Sequence, residues 1–482
     1  MTESLSAPLT LFNSLTRSAE EFAPVNPGKA HVYTCGPTVY NFQHIGNMRA
    51  YIFADTLGRT LSWKGYNLSH IINITDVGHL TSDADAGDDK MEKAASETGK
   101  SAWDIAKFYT DAYWQDIERL NIRQPAKWSI ATEHVEEMIA FAKSIADTHC
   151  YELDSGLYFD TSTVPDYGRL ARAKTDDGEG RIDPVEGKRH QTDFAIWRKT
   201  PAGETRQMEW DSPWGKGAPG WHLECSVMSK MYLGETFDIH TGGIDHREIH
   251  HPNEIAQNQA HSCSADTGAN IWMHNNFLVD RGGKMSKSAG EFLTLQVLVD
   301  AGVHPLAYRL MCLQAHYRSE LEFTFENLLA ALTRLKRMVM TVAQLRADAE
   351  PAAACTHPRL REMLDAFDVA ISDDLNTPKA LTHLDEILAQ KKIDCSEKLA
   401  AIAEADAVLG LNLLTLERAD LRLRPAKVEF TEDEVEHQLN LREEAKSNKN
   451  YPAADAIRNE LADNGVEIMD GDPLRWEWRI DA

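Results

Sequence analysis

Two short segments combine glycine with side chains that can hold phosphate. In CGPTVYNFQHIGN, from Cys35 to Asn47, His44 and Asn47 stand close together at what reads as the entrance to a helix. A helix start there offers unpaired N–H groups and the positive end of its dipole, both suited to a phosphate. His44 and Asn47 can add hydrogen bonds to the phosphate oxygens. By itself HIGN is equally what a tight turn between strand and helix looks like. The second segment, LVDRGGKMSKS, sets Gly282-Gly283 before Lys284, Lys287 and Ser288. A glycine-hinged loop with two lysines can close over a polyphosphate and neutralise charge as it builds, the main catalytic resource in attack at phosphorus. A solvated basic loop is the ordinary alternative for such a cluster. The two segments bracket one α/β region, and that joint occurrence favours a single nucleotide site.

A third group looks metal-binding: Cys35, Cys225 and the cluster HREIHHPNE from His246 to Glu254. His250 and Glu254, four apart, share one helix face. Thiolates with an imidazole and a carboxylate are a plausible Zn²⁺ set. There is no CxxC, so the ligands can converge only in three dimensions. His246, His251 and His240 are rival donors.

The elements that must position these residues begin with AHVYTC (Ala30 to Cys35), a β-branched and aromatic run ending at Gly36-Pro37, as a strand entering a turn does. Apolar residues at Ala50, Phe53, Leu57 and Leu61 predict a helix, with Gly65 at its C′ position. Leu68 to Ile74 predicts a second buried strand. This βαβ unit implies a parallel sheet with ligands at the carboxyl ends of its strands, around Cys35 to Asn47 and Thr75-Asp76. Ser101 with Asp104 opens a further helix carrying Trp103, Ile105, Phe108, Ala112 and Leu120. The predicted fold is α/β, with the parallel-sheet region at 1–152, a small β-rich insertion at 153–213 and the resumed α/β pattern at 214–303. A Leu/Ala-rich helix bundle at 304–424 and a small C-terminal mixed unit at 425–482 follow. In MEWDSPWGKGAPGW, Trp210 and Trp214 read as packing, whereas Trp221, one helical turn before Cys225, can reach a pocket wall. Arg334, Lys336, Arg337 and Arg422, Arg424, Lys427 read as solvated basic faces, with RNA contact as the alternative. The acidic run DADAGDDK reads as a solvated loop.

The 482 residues suggest about three domains. With 50 Lys plus Arg against 75 Asp plus Glu, the net charge is −25, and a nucleic-acid partner must then be gripped by local basic strips. At 43% hydrophobic and 26% charged, the chain is no mainly disordered polymer. The beginning MTESLSAPLTLFNSL reads as no signal peptide, and no apolar run reaches the ~18 residues of a membrane span. Seven scattered cysteines predict a reducing cytoplasm over a disulfide framework.

HIGN and KMSKS are the signature pair of class I aminoacyl-tRNA synthetases, and the chain resembles a cysteinyl-tRNA synthetase over essentially its whole length. The resemblance rests on YTCGPTVYNFQHIGNMRAY, INITDVGHLTSDAD, MEWDSPWGKGAPGWHLECSVMS, HHPNEIAQNQA, KMSKS, AHYRSELEFT, DDLNTPKAL and the closing AADAIRNELADNGVEI…RW. It implies a Rossmann-type catalytic domain with a connective insertion, one Zn²⁺ per subunit at Cys35, Cys225, His250 and Glu254, and ATP with Mg²⁺ as substrate. His44, Asn47 and Lys287 would contact ATP, with Lys284 beside them in the catalytic loop, and Thr75 and Trp221 would line the amino-acid pocket. The chain departs from the commonest pattern in IDHREI and in HHPNE for the more usual HHENE. The implied partners are cysteine, ATP and tRNA(Cys), gripped by the bundle and the C-terminal unit, with no membrane and a monomer as the expected form. Two alternatives are a cysteine ligase acting on an amino sugar and a non-catalytic RNA-binding homologue. The long chain beyond Ser288 argues against the first, and the intact signatures argue against the second.

Overall fold

The computed structural model describes residues 7–77, 90–171, 186–279, 293–349, 354–469 and 474–480. Five strands make one sheet: β1 (Lys29–Thr34), β2 (Asn67–Ile74), β3 (Lys127–Ile130), β4 (Phe237–Gly243) and β5 (Ala269–Asn275). Their order is β3-β2-β1-β4-β5, and every neighbouring pair is parallel. The last five residues of β2 are all buried, as expected of a strand covered on both faces, and two of them, His70 and Asn73, are polar. One face packs Val32, Ile239 and Ile271 against Phe53, Leu57 and Leu61 of α1 (Ile45–Trp63). The other packs Tyr33, Ile71 and Trp272 against the layer that includes α3 (Val135–His149), α4 (Trp221–Leu233) and α5 (His250–Ser262). Strand order reverses between β1 and β4, so a crevice opens at their carboxyl ends. Gly36 is needed there, because a Cβ would lie 1.5 Å from the Asn73 carbonyl oxygen.

Helix α2 (Ala102–Arg119) is capped by the Ser101 side chain, which accepts from the Asp104 amide. Its buried side is Ile105, Ala106, Tyr113 and Ile117, whereas Trp103 and Phe108 are 47% and 48% exposed. The apolar stripe drawn from sequence therefore merges two sides of this helix. Between α3 and α4 lies a four-stranded antiparallel sheet: Cys150–Leu153, Gly156–Phe159, Phe194–Lys199 and Gly217–Pro219. It begins before Leu153 and ends after Pro213, since Gly217–Pro219 pairs with Trp197–Lys199.

The later helices are Pro305–Leu313, Phe325–Ala347, Pro358–Ser372, Thr377–Ala389 and Cys395–Leu409. They are tied to the sheet layer through Asp55 of α1, which accepts from Arg59 at 2.7 Å and Arg309 at 2.6 Å. Arg309 also donates to the Leu409 and Leu120 carbonyls, at 2.8 and 3.0 Å. The C-terminal unit, with helices Glu432–Ser447 and Tyr451–Asp463 and a two-stranded sheet, has its own core around Val435, Leu461, Trp476 and Trp478. Two residues read as solvated cations hold it in place. Lys336 donates to Glu477 at 2.7 Å, and Arg422 lies 3.8 Å from the Trp476 ring centre. Arg418 is a further partner of Glu477, and Arg334 pairs with Asp385 at 2.6 Å. Arg337, Arg424 and Lys427 are exposed as expected. The run Asp83 to Asp89 lies outside the described residues. Among the described residues no helix is long and apolar enough to cross a membrane.

Candidate active site and metal centre

A cleft of about 660 Å³ occupies the crevice between β1 and β4. Cys35, His44, Asn47, Thr75, Trp221, Cys225 and His250 all line it. Lys284 and Lys287 lie outside the described residues, and Glu254 sits deeper, fully buried.

His44 is the N-cap of α1, and its Nδ1 accepts from the Gly46 amide at 3.0 Å. That bond fixes the tautomer: with Nδ1 unprotonated, Nε2 carries the proton and is the ring's donor. Partial burial lowers the His44 pKa, favouring the neutral ring. Asn47 is exposed, and its amide group donates to Gln43 at 3.0 Å. Both described edges of the KMSKS segment meet this helix start. Leu293 accepts from the Ile45 amide at 2.9 Å, and Leu278 lies 3.7 Å from where a Gly46 Cβ would be.

The thiols of Cys35 and Cys225 are 3.9 Å apart. His250 Nε2 is 3.4 Å from Cys225 and 3.1 Å from Glu254. Glu254 is in turn 4.0 Å from Cys35. Four donors at the corners of a zinc tetrahedron stand roughly 3.3–3.8 Å apart, given Zn–S and Zn–N/O lengths of about 2.3 and 2.0 Å. These residues fit a metal ion. A second set shares two of them: Cys35, Glu254, His240 and His251 also bring their donor atoms within 4.8 Å of one another. His251 Nε2 is 3.3 Å from Cys35, and its Nδ1 is 2.8 Å from His274. The first set uses both thiols, and its other histidine nitrogen is oriented by His222 at 2.9 Å.

Two of the four donors, Cys225 and Glu254, already favour the deprotonated form a cation site requires, and two do not. Burial opposes ionisation of Cys225, yet Cys35 and His250 bring its pKa down to about 6. Burial, with Cys225 beside it, pushes Cys35 well up. Against burial, His240 and His250 hold Glu254 down to about 2, while Glu254 and Cys225 raise His250 to about 10. A divalent ion bound here would displace the protons of His250 and Cys35.

Three contributors, Asn73, Glu224 and Arg49, lie inside the segments that carry the resemblance, yet residue type and spacing give them no role. Asn73 accepts from the Gly36 amide at 2.7 Å and donates to Thr75 at 3.1 Å. Thr75 donates to the buried Glu224 at 2.8 Å, whose pKa burial pushes well up. Thr75 is therefore oriented by two polar neighbours. Arg49, buried in α1, donates to the carbonyls of Asn276 and Phe277 at 2.8 and 2.6 Å, and to those of His316 and Ser319 at 3.3 and 2.7 Å. It thus clamps the backbone that leads into the KMSKS segment. Trp221 lies across the His250 ring, with centroids 4.2 Å apart.

The family model for the class I (C) tRNA synthetase catalytic domain matches residues 21–333. The cysteine–tRNA ligase of Novosphingobium aromaticivorans is 67% identical over 481 residues, covering 98% of each chain. The chain belongs to the cysteine–tRNA ligase family. Its activity is that of an aminoacyl-tRNA ligase. The Zymomonas mobilis cysteine–tRNA ligase is 55% identical over 507 residues, again covering 98% of each chain. Solved structures confirm the class I fold at low identity. A Mycobacterium tuberculosis methionyl-tRNA synthetase with methionyl-adenylate superposes with TM-score 0.51 at 14% identity, covering 83% of this chain and 92% of that one. An Agrobacterium radiobacter leucyl-tRNA synthetase in a ternary complex gives 0.54 at 13%, covering 83% and 86%.

Proposed function

We propose that the chain charges tRNA(Cys) in two steps within the cleft, in the cytoplasm and as a monomer. The cysteine carboxylate oxygen attacks the α-phosphorus of ATP·Mg²⁺, and the bond to the β-phosphate oxygen breaks, releasing pyrophosphate. A 3′-terminal ribose hydroxyl of the tRNA then attacks the adenylate carbonyl, and AMP leaves. No covalent link to the protein is needed, so the residues act by position and charge.

His44 Nε2–H and the Asn47 side chain donate to phosphate oxygens at the α1 dipole end, and Lys287, with Lys284, offsets charge on the leaving pyrophosphate. Cys35, Cys225, His250 and Glu254 hold zinc, which supplies a soft Lewis-acid seat for the substrate thiol. Trp221 and Thr75 wall the amino-acid pocket. The helices of 304–424 and the unit at 425–482 grip the tRNA, and the insertion that holds the sheet from Cys150 to Pro219 belongs to the catalytic domain on either side of it.

The observation that carries this reading is one cleft lined by both the HIGN helix start and the Cys/His cluster. The test is cysteine-dependent ATP–pyrophosphate exchange followed by charging of bulk tRNA. Exchange and charging together support it. Exchange with transfer to an amino sugar, or RNA binding without exchange, would overturn it.

A further inference from the structure

Beside the cleft, three aromatic side chains form a cluster with two exposed rings. Phe42 precedes α1 and is 47% exposed, and Phe108 of α2 is 48% exposed. Their centroids are 5.9 Å apart at 71°. Tyr109 braces both, at 5.1 Å from each ring. The Lys100 ammonium stands 5.0 Å from the Phe108 ring centre. Exposed aromatic area of this kind marks a surface meant to be covered, and Phe42 is itself part of the cleft wall. The patch is therefore continuous with the place where the adenylate forms.

We propose that Phe108 and Phe42, flanked by Lys100, are a stacking platform for an unpaired base near the 3′ end of the tRNA as that end enters the cleft. The proposal rests on the tRNA-charging reading above. An acceptor strand must arrive unpaired to place its terminal hydroxyl at the carbonyl, and each unpaired base then exposes both π-faces. Aromatic rings take such bases irrespective of sequence. The Lys100 ammonium, over the Phe108 ring, is close enough to meet the phosphate adjoining a stacked base, which matters in a chain of net charge −25. The T-shaped bracing by Tyr109 holds the rings in place before binding.

The test uses the full chain with Phe108→Ala, Phe108→Leu and Phe108→Trp. Losing one base stack lowers kcat/KM for tRNA charging roughly ten- to a hundredfold. The Ala and Leu variants should show this loss and the Trp variant should not, while cysteine-dependent ATP–pyrophosphate exchange stays at the wild-type rate. The same ranking should appear in affinity for intact tRNA and vanish for tRNA trimmed of its unpaired 3′ tail. A Leu variant that charges like wild type, an equal penalty on trimmed tRNA, or a change only in self-association on sedimentation would each overturn the platform. Failure of the tRNA-charging reading would look different, since the wild type itself would not charge tRNA.

Discussion

The Ile45 amide donates to the Leu293 carbonyl across 2.9 Å, so the first turn of α1 and the chain just beyond KMSKS are one hydrogen-bonded unit. His44 extends the contact as an isolated bridge to Thr294. Whatever binds at the helix dipole therefore lies beside the point where the described chain resumes after KMSKS.

Lys287→Ala should lower the rate constant of adenylate formation ~10²–10³-fold and leave cysteine affinity unchanged. Single-turnover adenylation with varied cysteine measures both. A loss of cysteine affinity at an unaltered rate constant would place Lys287 elsewhere in the reaction.

Arg49→Met would strand four backbone carbonyls that now share one buried guanidinium. We expect a stability loss of about 3 kcal/mol or more, together with a drop in the exchange kcat and little change in the cysteine KM. Arg49→Lys, which keeps charge but not the fork, should fall between the two. Equal exchange rates in all three proteins would remove Arg49 from the positioning of the ATP site.

Glu477 is held by Lys336 and Arg418, and its pKa is lowered against the pull of burial by its hydrogen bonds to those two cations. Glu477→Ala should loosen the C-terminal unit, raise the KM for tRNA and spare cysteine activation. Deleting 427–482 should do the same more strongly and leave a residual tRNA affinity less sensitive to salt. Salt titrations of tRNA binding report this directly, and unaltered charging by a folded truncation would count against the role.

How much was legible in advance follows from the range of each interaction. The β1–α1–β2 unit and the Ser101 cap depend on neighbours a few residues apart, and the sequence pattern shows them. The outward placement of Trp103 and Phe108 does not show, because an apolar side chain reads the same whether a helix turns it inward or outward. Gly217–Pro219 is too short and too Gly/Pro-rich to read as a strand until Trp197 is beside it. Lys336 looked solvated because its partner Glu477 is 141 positions away. Cys35 and Cys225, separated by 190 positions, were recognised as metal-like by residue type. Only the strand order brings them together, and residue type alone left His240, His246 and His251 as rivals to His250.

His70 of β2 offers a pH test of the sheet itself. Burial lowers its pKa to about 4, and its Nε2 is 2.7 Å from the Thr34 hydroxyl. The unfolded chain, with a pKa near 6.5, binds the proton more readily. Stability from this group is therefore complete above about pH 6.5 and is lost as pH falls towards 4. Between pH 7 and 5 the loss is about 2 kcal/mol. Urea unfolding of wild type and His70→Asn at both pH values should differ by that amount, and an equal pH response in the two would refute it.

The central claim is that a metal held by Cys35, Cys225, His250 and Glu254 tells cysteine from serine. The two amino acids are nearly isosteric, and shape alone separates such a pair weakly. A thiolate is a strong soft donor, while a serine hydroxyl stays protonated. The direct measurement is zinc content by elemental analysis, followed by kcat/KM for cysteine and serine activation in the wild type and in Cys225→Ser. We predict one zinc per chain, serine rejected by ~10⁴ or more, and loss of both zinc and discrimination in the variant. A folded wild-type protein that contains no zinc and still rejects serine would contradict the account.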